Sequence, residues 1–341
     1  MADSKICKVP FIKWTGSKRN QAKYIVDQFP KKIDCYYECF LGGGSVLHEL
    51  LNRIHTGEIS CDRIICSDIN ADLIMLFEML AHKGLREVLY NFYCACYNEM
   101  KQYSGYESGE ITPEQVAKMQ EYYNRKRDEY NKWIANNDFP IERAMTFYWL
   151  TRTAYNGLIR YNSKGLFNAP FHVNGRMGIT PEKLRAVIDG WGMVIDSFVD
   201  KGGALFFITD NYVNPLKCID GNIVNVVYMD PPYENTKGMY NSGHAIWVDP
   251  SLKHLNTYYC LPKDFSKKEL VKVIKELSKK NVKVLLSYNG KDGDIDETAD
   301  MEKWYVRHEY VDSGSSSYRR IRMTETEVKR NIVRDSLYMN Y

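Results

Sequence analysis

The chain has 341 residues, 44% of them hydrophobic and 26% charged, with a formal net charge of +3, the composition of an ordinary globular protein. No apolar run reaches membrane-span length and the N-terminus lacks a signal-peptide pattern, so a cytoplasmic, non-membrane protein is expected. Nine scattered cysteines without a C-x-x-C pair point to reduced thiols and no zinc site, and the net charge alone is too small to imply nucleic acid.

Phe11-Ile12-Lys13-Trp14-Thr15-Gly16-Ser17-Lys18-Arg19 predicts a loop feeding a helix that runs to Phe29-Pro30, with Ser17 as its N-cap. Lys18 beside a helix N-terminus opposes the dipole, which a bound anion such as a carboxylate would explain; the alternative is a solvated lysine. Cys35 to Phe40 reads as a strand, Leu41-Gly42-Gly43-Gly44-Ser45 as a tight turn, and Val46 to Leu51 as the start of a helix. In outline this is a nucleotide-binding βα unit, although the third small residue of G-x-G-x-x-G is missing. Arg63 to Asn70 is a second predicted strand, whose Asp68 is placed to accept from ribose hydroxyls or to cap the following helix, Ala71 to Leu80.

Leu85 to about Arg152 reads as a helical module inserted into the sheet domain, ending in a helix from Ile141 to Thr153. From Arg143 to Arg185, seven basic residues stand against Glu182 alone, an excess larger than that of the whole chain. Inside this segment, Thr153 to Phe171 has Asn156-Gly157 and Lys164-Gly165 turns between aromatic-rich arms, which predicts a β-hairpin or looped ribbon. Its interleaved Arg, Asn, Tyr and Lys suit phosphates and base edges; a solvated basic face is the alternative.

A helix beginning near Pro181 leads to a strand, Ala204 to Asp210. Ile223 to Met229 then reads as a buried strand stopped by Asp230-Pro231-Pro232-Tyr233, since two prolines cannot donate ladder hydrogen bonds. An acid, a rigid turn and an aromatic ring are thus held at the carboxyl end of a strand, the edge where open α/β sheets bind ligands. Residues 234–262 form a loop long enough to be functional. An amphipathic helix from Phe265 to Lys280, a strand from Val282 to Asn289, and strands at Trp304 to Val311 and Glu327 to Val333 complete the chain. Between the last two lies a basic loop, Ser313 to Arg320, able to touch a phosphate.

Six blocks carry a resemblance: Lys13-Trp14-x-Gly16-x-Lys18, Glu38-x-Phe40-x-Gly42-Gly43-Gly44-Ser45, Ser67-Asp68-Ile69-Asn70, Tyr155-Asn156-Gly157-Leu158-x-Arg160-Tyr161-Asn162, Phe167-Asn168-x-Pro170-Phe171 and Asp230-Pro231-Pro232-Tyr233. In this order they resemble the Dam-type DNA adenine-N6 methyltransferases, the D12 class in its alpha arrangement, including those of restriction-modification systems. The similarity runs from Phe11 to about Val333. It implies an α/β, Rossmann-like S-adenosylmethionine-dependent methyltransferase sheet built from residues 1–84 and 190–341. Residues 85–189 would be an inserted target-recognition domain, a helical bundle plus a basic hairpin.

The resemblance further implies S-adenosylmethionine contacts at Trp14, Lys18, Asp68 and Asp230 over a bed of Phe40, Gly42 and Gly44. DNA would be read by Lys13, Tyr155, Asn156, Leu158, Arg160, Asn162 and Pro170, and the chemistry would fall to Asp230, Pro231, Pro232 and Tyr233. The implied reaction methylates N6 of a flipped adenine in double-stranded DNA, with GATC as the candidate target. It would need no metal, and a monomer on the nucleoid of a bacterium or phage host would carry it out. His172-Val173 stands where many relatives have Gly-Arg, which puts one base or phosphate contact in doubt. The rivals are methylation of cytosine N4, RNA adenine or a protein amide, since the same turn suits any planar amine. A non-catalytic DNA-binding protein on this fold is a rival of another class. A nicotinamide dehydrogenase is disfavoured by the glycine spacing and by the lack of a proton-relay His motif.

Overall fold

The computed structural model describes residues 10–104, 111–162, 164–172, 177–232, 265–289, 304–315 and 332–341. Its sheet is organised on the run that the sequence marks as a buried strand. In β4 (Asn225–Met229) every residue is buried, as a central parallel strand covered on both faces requires. β1 (Lys32–Glu38) and β5 (Lys283–Asn289) flank it in parallel, and β2 (Ser60–Asp68) and β3 (Ala204–Thr209) extend the parallel sheet beyond β1. β6 (Arg307–Ser315) and β7 (Ile332–Met339) complete the other side antiparallel, giving the order β3-β2-β1-β4-β5-β7-β6. The last strand runs on to Met339, six residues beyond the end that the sequence suggests at Val333. The apolar stretch Leu337-Tyr338-Met339 is what packs against β5, and it draws the pairing toward the C-terminus.

Alternate side chains of each strand enter two cores. Tyr36, Val226, Tyr228 and Leu285 join the larger one, which holds α1 (Ala22–Asp27), α2 (Ser45–His55), α3 (Ala71–Ala81) and α7 (Pro181–Asp200). Cys35, Tyr37, Val227, Met229 and Leu286 face the other, closed by α8 (Val213–Lys217) and α9 (Lys267–Lys279). In α9, Leu270, Val271, Ile274 and Leu277 make the buried stripe, and Ser266 caps the helix by accepting from the Glu269 amide.

Between α3 and α7 the chain forms α4 (Lys83–Ser104), α5 (Pro113–Asn136) and α6 (Ile141–Thr153). A Thr112/Gln115 capping box starts α5. α6 is buried from Arg143 through Thr153, so it forms the axis around which α4 and α5 pack. Both connecting helices cross the expected limits of the insertion, α4 at residue 84 and α7 at residue 189. The seven cysteines among the described residues are unpaired.

Candidate active site

The strand order reverses between β1 and β4, which run parallel with Glu38 opposite Tyr228. A crevice opens at the carboxyl ends where such a reversal occurs. The glycine turn leaves β1 on one side of it and Asp230 leaves β4 on the other.

The turn is fastened to β2. Leu41 N–H donates to the Ser67 carbonyl at 3.1 Å, and Gly42 N–H to Asp68 Oδ2 at 3.0 Å. Asp68 Oδ1 accepts from the Asn70 amide at 3.0 Å, while Asn70 caps α3 by accepting from Leu73 N–H. Burial pushes the Asp68 carboxyl above its ordinary value, against the opposing pull of the Asn70, Gly42 and Ile69 amides. Gly42 and Gly44 hold positive φ, +49° and +64°. A Cβ at Gly42 would lie 2.9 Å from Trp14 Nε1, and one at Gly44 would lie 2.7 Å from the Phe77 ring. The backbone is therefore bare where Trp14 crosses it, and side chains are excluded on both counts.

Across the crevice, Lys18 Nζ donates to Asp230 Oδ1 and Oδ2 at 2.7 and 2.8 Å and to the Gly16 carbonyl at 3.3 Å. Asp335 Oδ2 lies 3.9 Å away and is itself held by Gln21 Nε2 at 2.7 Å. Lys18 is only 7% exposed. Burial opposes its charge, but Asp230, the Tyr228 phenol and Asp335 outweigh that and hold the ammonium above its ordinary value. The expected carboxylate partner is thus an internal one. Ser17 is not a cap, because α1 starts at Ala22 behind Gln21; its hydroxyl bonds that of Ser45 at 2.8 Å and ties the loop to α2.

Three groups at this edge have no role in the sequence reading, although Glu38 heads one of its motif blocks. Glu38, 2% exposed, accepts from Tyr36 Oη at 2.8 Å; burial, joined by the charge of Asp230, pushes its carboxyl up to about 8 despite the Tyr36 and Leu47 donors. Phe40 stacks on Tyr212 with ring centroids 5.0 Å apart, and Phe265 meets Phe40 edge-on at 6.3 Å. Tyr212 follows an acid at a strand end, as Tyr233 does, and that repeated pattern was its available signal. Tyr233 itself, residues 234–262, Val173 and the loop from Ser316 lie outside the described residues.

The ribbon from Thr153 to Phe171 stands on α5 and α6. It is a looped ribbon rather than a regular hairpin, with two isolated antiparallel bridges, Ala154 to Phe171 and Tyr161 to Phe167. Asn156 and Gly157 take φ of +54° and +69°, and Pro170 has no N–H, so the ladder cannot continue between the bridges. Asn156, Arg160 and Pro170 are exposed; Tyr155, Leu158 and Asn162 are half-buried. Lys13 joins them from the first loop, its stem lying over Gly157, where a Cβ would come within 2.6 Å of Lys13 Cδ. Tyr155 sits beside the buried His172, with centroids 5.5 Å apart. Asn162 Oδ1 accepts from the amides of Lys164 and Leu166, which shapes the tip of the ribbon.

Part of the basic excess of this segment is spent inside the protein. Arg143 pairs with Asp72, both almost fully buried, at 3.1 Å, and Tyr130 Oη donates to the same carboxylate at 2.6 Å. Arg152 donates to the Pro10 and Phe11 carbonyls, and Arg185 to Glu87 at 2.5 and 2.8 Å. Arg160, Lys164 and Lys183 remain on the surface.

Residues 14–185 match the family model of the D12 class N6 adenine-specific DNA methyltransferases. The chain belongs to this family. The Type II methyltransferase M.MjaIII of Methanocaldococcus jannaschii is 30% identical over 234 residues, 66% of this chain and 69% of that one. DNA adenine methylases of Haemophilus influenzae and Escherichia coli K12 are each 30% identical, over 66% and 65% of this chain and 63% and 64% of theirs. Among solved structures, the rRNA methyltransferase aviRa of Streptomyces viridochromogenes overlays 99% of this chain and 92% of its own, with 10% identity and a TM-score of 0.40, too remote a likeness to bear on function.

In this adenine-specific DNA methyltransferase the implied site residues fall in two groups. Trp14, Lys18, Phe40, Gly42, Gly44, Asp68 and Asp230 converge on the carboxyl edge of the sheet. Lys13, Tyr155, Asn156, Leu158, Arg160, Asn162 and Pro170 lie in the ribbon and against it. The described residues contain no helix long and apolar enough to cross a membrane, and no group of three or more His, Cys, Asp or Glu side chains able to hold a metal ion.

Proposed function

We propose that the protein uses S-adenosylmethionine to methylate N6 of an adenine flipped out of double-stranded DNA, with Asp230-Pro231-Pro232-Tyr233 as the catalytic turn. The observation that carries this reading is the Lys18–Asp230 pair at the switch point, opposite a bare glycine turn. The residues present fit the cofactor. Gly42 and Gly44 keep the turn free of side chains and let Trp14 and Phe77 close against it, and the Phe40–Tyr212 pair offers flat rings to a purine. The Gly42, Ile69 and Asn70 amides take three of the roughly four lone-pair sites of the Asp68 carboxylate and leave one for a ribose hydroxyl.

S-adenosylmethionine, when bound, supplies an electrophilic methyl group on a sulfonium. Adenine N6 is a weak nucleophile because its lone pair is delocalised into the ring. Asp230 and the Pro231 carbonyl accept its two amino hydrogens, which localises that pair and directs it at the methyl group. Lys18 acts through Asp230, since its donors meet Asp230 and Gly16 within the chain. Both carboxylate oxygens are held in one orientation, and positioning of this kind supplies much of the rate. Tyr233 stacks on the flipped base, whose removal from the duplex costs a few kcal/mol.

Residues 85–189 read the DNA through the ribbon. Arg160, with guanidinium N–H groups suited to guanine O6 and N7, is the leading base contact, and GATC is the first sequence to test. The enzyme acts as a monomer in the cytoplasm. Asp230→Ala is expected to bind DNA and transfer no methyl groups, as measured by methyl incorporation and by mapping modified positions in unmethylated DNA. Near-normal turnover in that variant would overturn the proposal.

A further inference from the structure

The backbone of Phe167 is held by a side chain where a neighbouring strand would stand. Asn162 N–H donates to the Leu166 carbonyl and Asn168 N–H to the Arg160 carbonyl, both at 2.8 Å, so the Tyr161–Phe167 bridge lies between two ladder bonds. In such a pair the N–H and C=O of the bridging residue point away from its partner. Asn131 of α5 meets them there: its Nδ2 donates to the Phe167 carbonyl at 3.0 Å, and its Oδ1 accepts from Phe167 N–H at 2.8 Å. One amide thus replaces a third strand.

The same helix braces the rest of the arm. Tyr123 and Tyr130, seven residues apart, share a face of α5 beside the one that carries Asn131. Tyr123 Oη donates to the Ala169 carbonyl at 2.9 Å, and the Tyr130 ring meets Phe167 edge-on at 5.9 Å.

The residue after Phe167 grips the base-reading candidate. Asn168 Oδ1 accepts from Arg160 Nε at 2.9 Å and its carbonyl from Arg160 Nη2 at 2.7 Å. Two of the five guanidinium N–H donors fix its plane through the Nε edge, and the Nη1–Nη2 end keeps the other three. That end presents two parallel N–H groups, the fork that matches guanine O6 and N7. A flexible arginine on an exposed ribbon would instead sample many directions and favour phosphates without discrimination.

We infer that Asn131 is a specificity-positioning residue of this methyltransferase: from α5 it fixes Phe167–Asn168, and through Asn168 it aims Arg160 at one base pair of the target. This rests on the reading of the ribbon as the DNA-reading surface, and the test separates the two. Target duplexes and duplexes with single base-pair substitutions are assayed for kcat/KM with the full chain, alongside S-adenosylmethionine affinity and thermal unfolding. Arg160→Ala identifies the base pair it reads by relaxing discrimination there. Asn131→Ala is expected to relax discrimination at that same pair by about tenfold, the scale of one bidentate base contact, with cofactor affinity unchanged. Asn131→Asp, which keeps the acceptor and loses the donor, is expected to fall between. In the Arg160→Ala background, Asn131→Ala is expected to add nothing.

Parent-level discrimination in folded Asn131→Ala, at the pair that Arg160→Ala relaxes, overturns the positioning role and leaves the ribbon reading standing. Unchanged discrimination at every pair in Arg160→Ala overturns the ribbon reading itself. Failure of both Asn131 variants to fold would assign the residue to stability alone and also overturn the inference.

Discussion

Lys18→Met isolates the electrostatic centre of the site. The ammonium lies 2.7 and 2.8 Å from the Asp230 oxygens and 3.9 Å from Asp335, at 7% exposure. Methionine keeps the apolar stem and removes the cation, leaving two carboxylates facing each other. Removing one partner of a buried pair costs about 3–5 kcal/mol, because the other charge is left uncompensated. Here Asp230 and Asp335 are 19% and 12% exposed, and Gln21 still holds Asp335, so solvent and that bond relieve part of the cost. The expected loss is about 3 kcal/mol, at the lower end of that range. Urea denaturation at neutral pH measures it. Lys18→Met/Asp230→Asn, which removes the facing charge as well, is expected to recover more than half of the loss. Both variants are expected to lose methyl transfer, so stability is the discriminating readout. If the single variant stays within about 0.5 kcal/mol of the parent, or the double variant is no more stable than the single, the pair does not hold the site as argued.

Glu38, at about 8 when folded against 4.5 as its ordinary value, prefers its neutral form in the native state. Its contribution is therefore fully present below pH 4.5 and lost as pH rises toward 8, so Glu38→Gln should flatten that fall and stabilise the protein by up to a few kcal/mol at alkaline pH; an unchanged stability–pH profile would contradict this. Gly44→Ala forces a Cβ to within 2.7 Å of Phe77 at φ +64°, whereas Gly57→Ala at φ +79° meets nothing within 4 Å. Thermal unfolding should show left-handed strain of about 1–2 kcal/mol in both and a further 1–3 kcal/mol from crowding at Gly44 alone, with weakened S-adenosylmethionine binding there; equal costs would refute the contact argument. In DNA binding measured against salt, Lys164→Ala should lower the slope of log K on log salt by about 0.9, while Arg143→Met, buried against Asp72, should leave it unchanged.

Much of the sheet was legible because its central strands are continuous apolar runs ended by acids or prolines. The strands read at Cys35 to Phe40, Arg63 to Asn70 and Ile223 to Met229 overlap β1, β2 and β4, although Ile223 and Val224 are exposed ahead of β4, and α6 spans Ile141–Thr153 as read. The first cap was misread for a local reason: Ser17 has an N-cap's chemistry, but Ser45, 28 residues on, takes its hydroxyl. The final strand was ended too early, at Val333, because the pairing of Leu337 to Met339 with β5 is a long-range contact with no mark in the local sequence. At the site, motif spacing marks Lys18 and Asp230 as functional and says nothing of their contact across 212 residues. Gln21 and Asp335, 314 residues apart, left no local signal at all. Counting charge was misleading in the recognition segment, because composition does not distinguish the buried Arg143 and Arg152 from the exposed Arg160.

That last distinction bears on how such an enzyme holds DNA. Glu38 ends β1, Asp68 ends β2, Asp210 follows β3 and Asp230 follows β4, so the cofactor edge is lined with carboxyl groups, and Lys18 is bound to one of them. On the function proposed above, this edge offers acceptors to ribose hydroxyls and to an amino group, the ribbon grips the duplex, and only the target adenine is brought across. Since Arg143, Arg152 and Arg185 are paired within the protein, non-specific attraction by the described part of the segment rests on few surface cations. Discrimination then depends less on how much charge the ribbon carries than on where its rooted guanidinium points. On the inference above, Asn131 of the supporting helix governs that direction through Phe167 and Asn168.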